Sequence, residues 1–300
     1  MSEDGGGVHE DRGVREDRGL TSEERGNRLG SYLRARRALV TPEQVGLPPG
    51  GNRRVPGLRR EEVALLAGIS GDYYLRLERG RDTHPSRQVL ESLARVLRLD
   101  ELEQEYLLGL AEAGPKRRRR RKPERVPARL HQLLASVQVP AFVEGRAFDV
   151  LASNPLAVAL SPRLQPGHNR LRSLLLDPEE QAFQKDWTRS TEAFVAAFRT
   201  SVGDDVDDPR FVELVGELAL ASERFRTLWA RHDVRALDGG TAAVNHPVVG
   251  ELHLHRDKLP VDDVLLVLYY ADQGSESDEK LRLLASMAAE APAKDRAHRS

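Results

Sequence analysis

Residues 58–80, LRREEVALLAGISGDYYLRLERG, place two short helical patterns on either side of Gly68-Ile69-Ser70. A glycine here can take the left-handed conformation that ends a helix, and a serine two residues later can cap the next one. Small and apolar residues at helical spacing give the two helices a face on which they can pack. These residues are Val63, Ala64, Ala67, Ile69, Tyr74 and Leu77. The stretch therefore predicts a helix-turn-helix.

The outward face of the second helix carries Ser70, Asp72, Tyr73, Arg76 and Arg79. A helix can enter the major groove of DNA with its first turn on base edges, where arginine reads guanine. The alternative is a helical hairpin with a solvated basic face. Charge favours DNA, because residues 25–98 hold fifteen arginines against seven acidic residues, a net charge of +8, while the whole chain carries -1. A basic front part joined to an acidic back part indicates a polyanion-binding domain attached to another domain.

Further helical patterns surround this pair. Thr21 with Glu24 forms a capping box that starts a helix, and a proline-rich loop follows it. Four more helical patterns cover residues 59–67, 71–79, 86–97 and 101–113. The sequence thus predicts an all-α domain of five helices over residues 21–114.

Composition sets the remaining boundaries. Residues 1–20 contain almost nothing apolar and predict a disordered tail, as do residues 291–300. Residues 115–127 contain a run of seven basic residues and several prolines, which is typical of a linker. This linker either stays solvated or adds non-specific phosphate contacts. Residues 128–290 are left for a second domain.

The second domain alternates strands and helices. Two short strands surround Glu144-Gly145-Arg146 as a hairpin, and helical patterns follow at residues 155–160, 178–201, 208–222 and 223–232. Strands return at residues 241–245, 248–256 and 264–270, bounded by the turn residues 258–260, and a helix covers residues 278–290. This order predicts an α+β domain with one antiparallel sheet.

Several classes of protein are disfavoured. The chain has no cysteine, which excludes disulfides and thiolate metal sites and favours the cytoplasm. No run of eighteen apolar residues occurs, so we expect no membrane span. No nucleophile-elbow, dinucleotide-binding or phosphate-loop motif is present, so we expect neither an enzyme nor a cofactor. A metal held by His246, His253 and His255 lacks any supporting ligand motif.

Residues 60–100, REEVALLAGISGDYYLRLERGRDTHPSRQVLESLARVLRLD, resemble the lambda-repressor-like, or Xre-type, helix-turn-helix family. Residues 53–68, RRVPGLRREEVALLAG, are similar to a narrower group, the MmyB-like regulators. The resemblance implies that the second helix reads DNA and that the domain binds as a dimer. By the same resemblance, the residues expected to contact DNA bases are Ser70, Asp72, Tyr73 and Arg76. The residues expected to contact DNA phosphates are Arg53, Arg54, Arg59, Arg60, Arg79 and Arg81. Glu78 is expected to be structural and to hold a nearby arginine.

The second domain resembles the MmyB-like ligand-binding domain, through VPAFVEGRAFDVLASNPLAVAL, RFRTLWARHDV and HPVVGELHLH. The resemblance implies a PAS-like fold whose pocket between sheet and helices holds a small apolar molecule such as a fatty acid. The aromatic walls would be Phe142, Phe148, Trp187, Phe194, Phe198, Phe225 and Trp229. The polar residues that could orient a head group are Asn154, Arg189, His232, Asp233 and His246, with Arg189 or His232 favoured as the donor to a carboxylate. Alternatively, the aromatic residues form a filled core, and Arg231-His232-Asp233 cap a helix with a charged histidine.

These observations predict a bacterial DNA-binding transcription regulator, with a weak preference for an activator. We expect a homodimer on an inverted-repeat operator of double-stranded DNA, located with the nucleoid in the cytoplasm. The alternative is a DNA-bound protein whose second domain has a filled core and serves only dimerisation or contact with RNA polymerase.

Overall fold

The computed structural model describes residues 22–48, 57–82, 84–112, 124–203, 205–236 and 238–297. The predictions made for residues 1–20, for Arg53 and Arg54, and for the basic run at residues 116–122 lie outside these ranges.

The first region consists of helices around one core, which confirms the predicted all-α domain. The helices are α1 (Ser22–Leu39), α2 (Arg60–Ala67), α3 (Gly71–Glu78), α4 (Arg87–Val96) and α5 (Glu101–Glu112). Tyr32, Leu33, Tyr74, Leu77 and Leu93 are completely buried in that core. Burying each of the three leucine side chains contributes about 1.5–3 kcal/mol to folding.

The turn between α2 and α3 forms as its residues predict. Gly68 is left-handed, with φ 70°, and its N–H donates to the carbonyls of Ala64 and Leu65. The Ser70 hydroxyl accepts a hydrogen bond of 3.2 Å from the N–H of Tyr73 and so caps α3. Glycine and serine therefore fix the angle at which α3 leaves α2.

Helix α1 crosses closely over the end of α3. A Cβ atom at Gly30 would lie 2.8 Å from the Glu78 carbonyl carbon and from the Leu77 oxygen. Only glycine allows the two backbones to approach so closely. This crossing holds α3, the helix expected to contact DNA, against the rest of the region.

The second region is an α+β layer structure, as predicted. Its strands are β1 (Ala141–Glu144), β2 (Val150–Ser153), β3 (Gly240–His246), β4 (Gly250–Val261) and β5 (Val264–Tyr270). They form one antiparallel sheet in the order β2-β1-β5-β4-β3. The helices are α6 (Ala128–Ser136), α7 (Pro155–Leu160), α8 (Arg170–Leu176), α9 (Pro178–Phe183), α10 (Trp187–Val202), α11 (Pro209–Ala221), α12 (Glu223–Ala230) and α13 (Glu276–Ala297).

Helices α6 and α8 were not predicted, and the helix predicted over residues 178–201 is wrong as a single element. It divides into α9 and α10 because Asp186 starts a new helix, where its carboxylate accepts a hydrogen bond of 2.9 Å from the N–H of Arg189. Helix α13 also continues past its predicted end, to Ala297.

Strand β4 is longer than its predicted range, which stopped at residue 256 before a turn at 258–260. It continues to Val261 because Lys258, Leu259 and Pro260 pair with β5. Strand β3 pairs with β4 only as far as Arg256. Beyond that point no strand among the described residues pairs with this side of β4, and a proline, which has no N–H to donate, is tolerated there.

Candidate functional site

The exposed end of α3 presents the four residues expected to contact bases. Ser70, Asp72 and Arg76 are exposed, and Tyr73 is half-buried. The Arg76 guanidinium lies over the Tyr73 ring, 5.4 Å from its centroid. Because the hydroxyl of Ser70 already caps the helix, Arg76 is the side chain of this group best suited to reach a base edge.

Positive charge flanks this helix. Arg59, Arg79 and Arg81 are exposed around it, as residues that contact phosphates need to be. The guanidinium of Arg60 is engaged, since its Nε donates to Glu78 at 2.6 Å. Arg60 therefore links the start of α2 to the end of α3 besides adding charge.

Glu78 is a buried carboxylate between two arginines. Its oxygens accept hydrogen bonds from Arg37 Nε and Arg60 Nε, each at 2.6 Å. Burial alone would raise the pKa of this carboxyl, but the two arginines lower it below its usual range. The prediction that Glu78 holds a nearby arginine is confirmed.

An open cavity of about 720 Å³ lies between the sheet and helices α7 to α10. Strands β3, β4 and β5 form one wall, and α10 faces them. Its apolar lining includes Leu160, Leu164, Leu174, Phe183, Phe194 and Leu254. Ligand cavities in proteins commonly measure about 300–1,000 Å³, so a small molecule of moderate length fits here.

One wall of the cavity contains a cluster of buried charges. Glu144 Oε2 accepts a hydrogen bond from Arg170 Nη1 at 2.6 Å, and Glu144 Oε1 accepts one from Lys258 Nζ at 2.8 Å. Arg170 Nη2 also donates to the Tyr269 hydroxyl at 3.1 Å. Arg170, Lys258 and Tyr269 all line the cavity.

These neighbours decide the ionisation of the cluster. Burial would raise the pKa of Glu144, but Lys258 and Arg170 lower it to about 2. Burial lowers the pKa of Lys258, and the attraction of Glu144 offsets only part of that effect. Glu144 is therefore an anion throughout the physiological range.

Three of the residues predicted for the pocket line this cavity, namely Phe148, Arg189 and Phe194. Arg189 is exposed at the rim and Phe194 is half-buried. The backbone of Phe148 is left-handed, with φ 64°, a strained conformation for a bulky residue that persists only where its surroundings impose it. Trp187 lies just behind the wall, since its indole N–H donates to the carbonyl of the lining residue Leu174 at 2.7 Å.

The other predicted aromatic residues do not line the cavity. Phe142 packs in a core on the sheet. Phe198, Phe225 and Trp229 pack in a separate core between the helices, where the Phe225 and Trp229 rings stack at 5.4 Å. They fill space, because Phe198 and Phe225 are completely buried.

The remaining polar residues predicted for the pocket have structural contacts instead. Asn154 caps α7 and donates to the Val139 carbonyl at 2.7 Å. His246 lies 3.0 Å from the carbonyl of Ala159 and accepts from the N–H of Val248 at 3.1 Å. Neither side chain lines the cavity.

His232 lies at the end of α12 and not in the cavity. His232 does lie at the helix end, as the alternative of a helix cap predicted, but it does not carry the positive charge that this alternative required. Burial, and then the neighbouring cations Arg199 and Arg28, lower its pKa to about 4. His232 is therefore neutral near pH 7, because a positive charge there would be both desolvated and repelled.

The charged residues of the cavity wall were missed by sequence reasoning. A signal was present, because Leu254, Arg256 and Lys258 alternate along one strand and so share a face with buried leucine. The partner Glu144 is predicted from the sequence as a turn residue of the hairpin. Its burial depends on a neighbouring strand and a distant helix, which no local pattern indicates.

The described ranges give no support for a metal site or for a membrane-spanning helix. No group of three histidine or acidic side chains there could hold a metal ion. His253 and His255 each contact a carboxylate, that of Glu251 and that of Asp272. No helix in the same ranges is long and apolar enough to cross a bilayer.

The helix-turn-helix and the cavity-bearing second region together define a DNA-binding transcription regulator with a ligand-binding domain. Residues 28–107 match a family described as helix-turn-helix domain. Residues 126–284, more than half of the chain, match the MmyB-like transcription regulator ligand binding domain, so the chain belongs to the MmyB-like transcription regulators. Neither family is a type of enzyme. No curated protein matches the sequence significantly.

Proposed function

We propose that this regulator senses a small amphiphilic molecule, such as a fatty acid, in the cavity of its second domain. In the same proposal, α3 reads an inverted-repeat operator, with Ser70, Asp72, Tyr73 and Arg76 on bases. Arg59, Arg79 and Arg81 contact phosphates, together with Arg53, Arg54 and, in part, Arg60. Each chain offers one such motif, and two half-sites require a homodimer.

The cavity is the observation that carries the proposal. A second domain used only for dimerisation or for contact with RNA polymerase needs no deep apolar cleft between its sheet and its helices, whereas ligand sites are usually such clefts. Here about 720 Å³ is open between β4 and α10. Apolar side chains supply much of the lining, so an acyl chain entering it would gain about 0.8 kcal/mol per buried methylene before its ordering cost.

Activation of transcription, a bacterial source and a position on the nucleoid are parts of the proposal that rest on the family resemblance. The orientation of α3 supports the DNA-contact residues, because the exposed side chains of its first turns point away from the core that holds it. Footprinting on the DNA upstream of the protein's own gene would provide the operator needed for every binding assay.

Occupancy of the cavity can be tested by denaturing the protein purified from its native host and identifying what it releases by mass spectrometry. We expect a stoichiometric amphiphile. Ala193 lies on α10 and lines the cavity, so Ala193→Trp should fill it and abolish release. Ala230→Trp is the matched control, because Ala230 is exposed on α12.

Ligand sensing in this cavity would be contradicted if the purified protein released no bound molecule and if both variants bound added fatty acid equally. It would favour the alternative in which the second domain serves only dimerisation or contact with RNA polymerase.

A further inference from the structure

Arg170 and Lys258 share one buried carboxylate on the cavity wall. The Glu144 side chain is 0% exposed, that of Lys258 5% and that of Arg170 9%. Two cations around one carboxylate leave one positive charge that Glu144 does not neutralise. Burying such a charge is costly unless another anion approaches it.

Arg256 adds a third cation to the same wall. It stands two residues before Lys258 on β4, so both side chains project from one face of the strand, and both line the cavity. Its Nε is buried and has no hydrogen-bond partner among the residues that the structure describes. A guanidinium with a free donor is suited to a carboxylate, which can accept two parallel hydrogen bonds from it.

Other carboxylates around the cavity neutralise this wall only in part, since Glu180 attracts Arg170 without forming an ion pair with it. Glu180 accepts hydrogen bonds from Gln184 at 2.8 Å and Ser161 at 3.3 Å and, within the described ranges, forms no ion pair with the three cations. Burial raises its pKa, so it carries charge less readily than an exposed glutamate. Asp186 and Asp238 are exposed at the rim, where water screens them.

Aromatic rings border the cations on the cavity side. Lys258 Nζ lies 5.1 Å from the centroid of the Phe148 ring, and the Arg170 guanidinium lies 4.9 Å from that of Phe194. Both rings line the cavity, as does Leu254. A ligand whose charged end meets the cations would thus place its next carbons against apolar surface.

We propose that this wall is the anion subsite of the cavity, where Arg256, with Lys258 and Arg170 beside it, receives the carboxylate of an amphiphilic ligand. The subsite rests on the proposed function, since it gives a position and a charge to the ligand of the same cavity. In this arrangement the ligand's carboxylate is bound by the cations of the inner wall. Arg189, at the rim, and His232, outside the cavity, do not bind it.

Calorimetric titration of the full chain with decanoate and with decanol tests the subsite, because the two probes share a chain and differ in charge. Decanoate should bind at least about tenfold more tightly. Arg256→Gln should lower the decanoate affinity by about tenfold or more and leave the decanol affinity unchanged, since it removes charge-assisted hydrogen bonds only. Because Arg256 Nε has no partner to lose, this variant should fold normally.

Two further variants separate the alternatives. Arg189→Gln, at the rim, should leave both affinities unchanged, and Glu180→Gln should raise the affinity for decanoate by removing a competing carboxylate. Equal binding of the two probes, or loss of decanoate in Arg189→Gln instead of Arg256→Gln, would overturn the subsite while leaving ligand binding intact. Binding of neither probe would contradict the proposed function itself, and the subsite with it.

Discussion

Arg36 on α1 joins the DNA-binding region to the second region, since its Nη1 lies 3.1 Å from Asp233 Oδ1, just beyond α12. The same guanidinium also contacts the carboxylate of Glu103 on α5. Nearby, Arg28 Nη2 donates to the carbonyl of Gly203 at 2.5 Å. Helix α1 therefore packs against its own domain on one side and contacts the second domain on the other.

Replacing Arg36 by methionine should lower the free energy of unfolding, measured in urea, by about 1–2 kcal/mol. Glu103 and Asp233 both lose their contact with this guanidinium, although Asp233 keeps its ion pair with Arg231. The Arg36 side chain is only 13% exposed, so water cannot replace those contacts well. Arg87→Met is the control, since the Arg87–Glu91 pair is exposed and should be worth about 0.5 kcal/mol or less. Equal effects of both substitutions would show that the Arg36 ion pairs contribute no more to the free energy of unfolding than an exposed pair does.

Gly30→Ala should destabilise the helix-turn-helix by at least about 2 kcal/mol, because the added methyl group meets the backbone of Leu77 and Glu78, which cannot move alone. Gly216→Ala on α11 is the matched control. No heavy atom lies within 4 Å of a Cβ there, so alanine should stabilise by up to about 1 kcal/mol. Denaturant unfolding of both variants measures the difference, and a stable Gly30→Ala protein would contradict the close crossing.

The pKa of His232, about 4 in the folded protein against its ordinary 6.5, makes stability depend on pH. Between these values the unfolded chain binds a proton that the folded chain does not. Stability should therefore be complete above about pH 6.5 and fall by on the order of 2 kcal/mol as the pH drops toward 4. His232→Asn, which tolerates the left-handed backbone of this position, should remove that part of the decrease. Identical pH profiles of the two proteins would show that His232 does not titrate in this way.

Arg76→Ala and Arg59→Ala should differ in a salt-titrated DNA-binding assay. If Arg76 reads a base edge, its loss should cost about 1–3 kcal/mol on the operator and relax preference at one position. If Arg59 contacts a phosphate, its loss should weaken operator and random DNA alike and flatten the salt slope by about one unit. Indistinguishable variants would contradict the assignment of base and phosphate roles.

Local chemistry predicted the first region well. Gly68 and Ser70 specify a helix end and a helix start within three residues, and the apolar spacing around Tyr74 and Leu77 identifies the buried face. Glu78 directly follows the buried Leu77, and a carboxylate that is buried must find a partner inside the protein. These signals lie within a few residues of one another, which is why they could be read from the sequence.

The cavity could not be located in the same way. Phe148 and Phe194 belong to the same core between helices as Trp229 and Phe225, but of these four only Phe148 and Phe194 also line the cavity. Nothing in their local sequence distinguishes the two outcomes. The charged wall depends on Glu144, Arg170 and Lys258, which are far apart in the chain and meet only when β1, α8 and β4 assemble.

Helix α10 physically connects the cavity to the contact between the two domains. Ala193 and Ala197 line the cavity, and two residues further on Arg199 lies 3.3 Å from His232 Nδ1 and stacks on the Trp229 ring at 3.8 Å. Asp233, the partner of Arg36, directly follows His232. A ligand that shifts α10 would thus act on the docking of the DNA-binding domain, and the two binding events would be coupled.

The affinity of the full chain for its operator, measured by fluorescence anisotropy with and without saturating decanoate, tests this account most directly. For the wild-type chain we predict that the ligand changes the operator Kd by at least about fivefold, the lower end of typical coupling between two sites. With Ala193→Trp, which fills the cavity, the ligand should have no effect, while Ala230→Trp should respond as the wild type does. An operator Kd that decanoate leaves unchanged in the wild-type chain, although calorimetry shows the cavity to be occupied, would contradict the claim that this domain senses a ligand to control DNA binding.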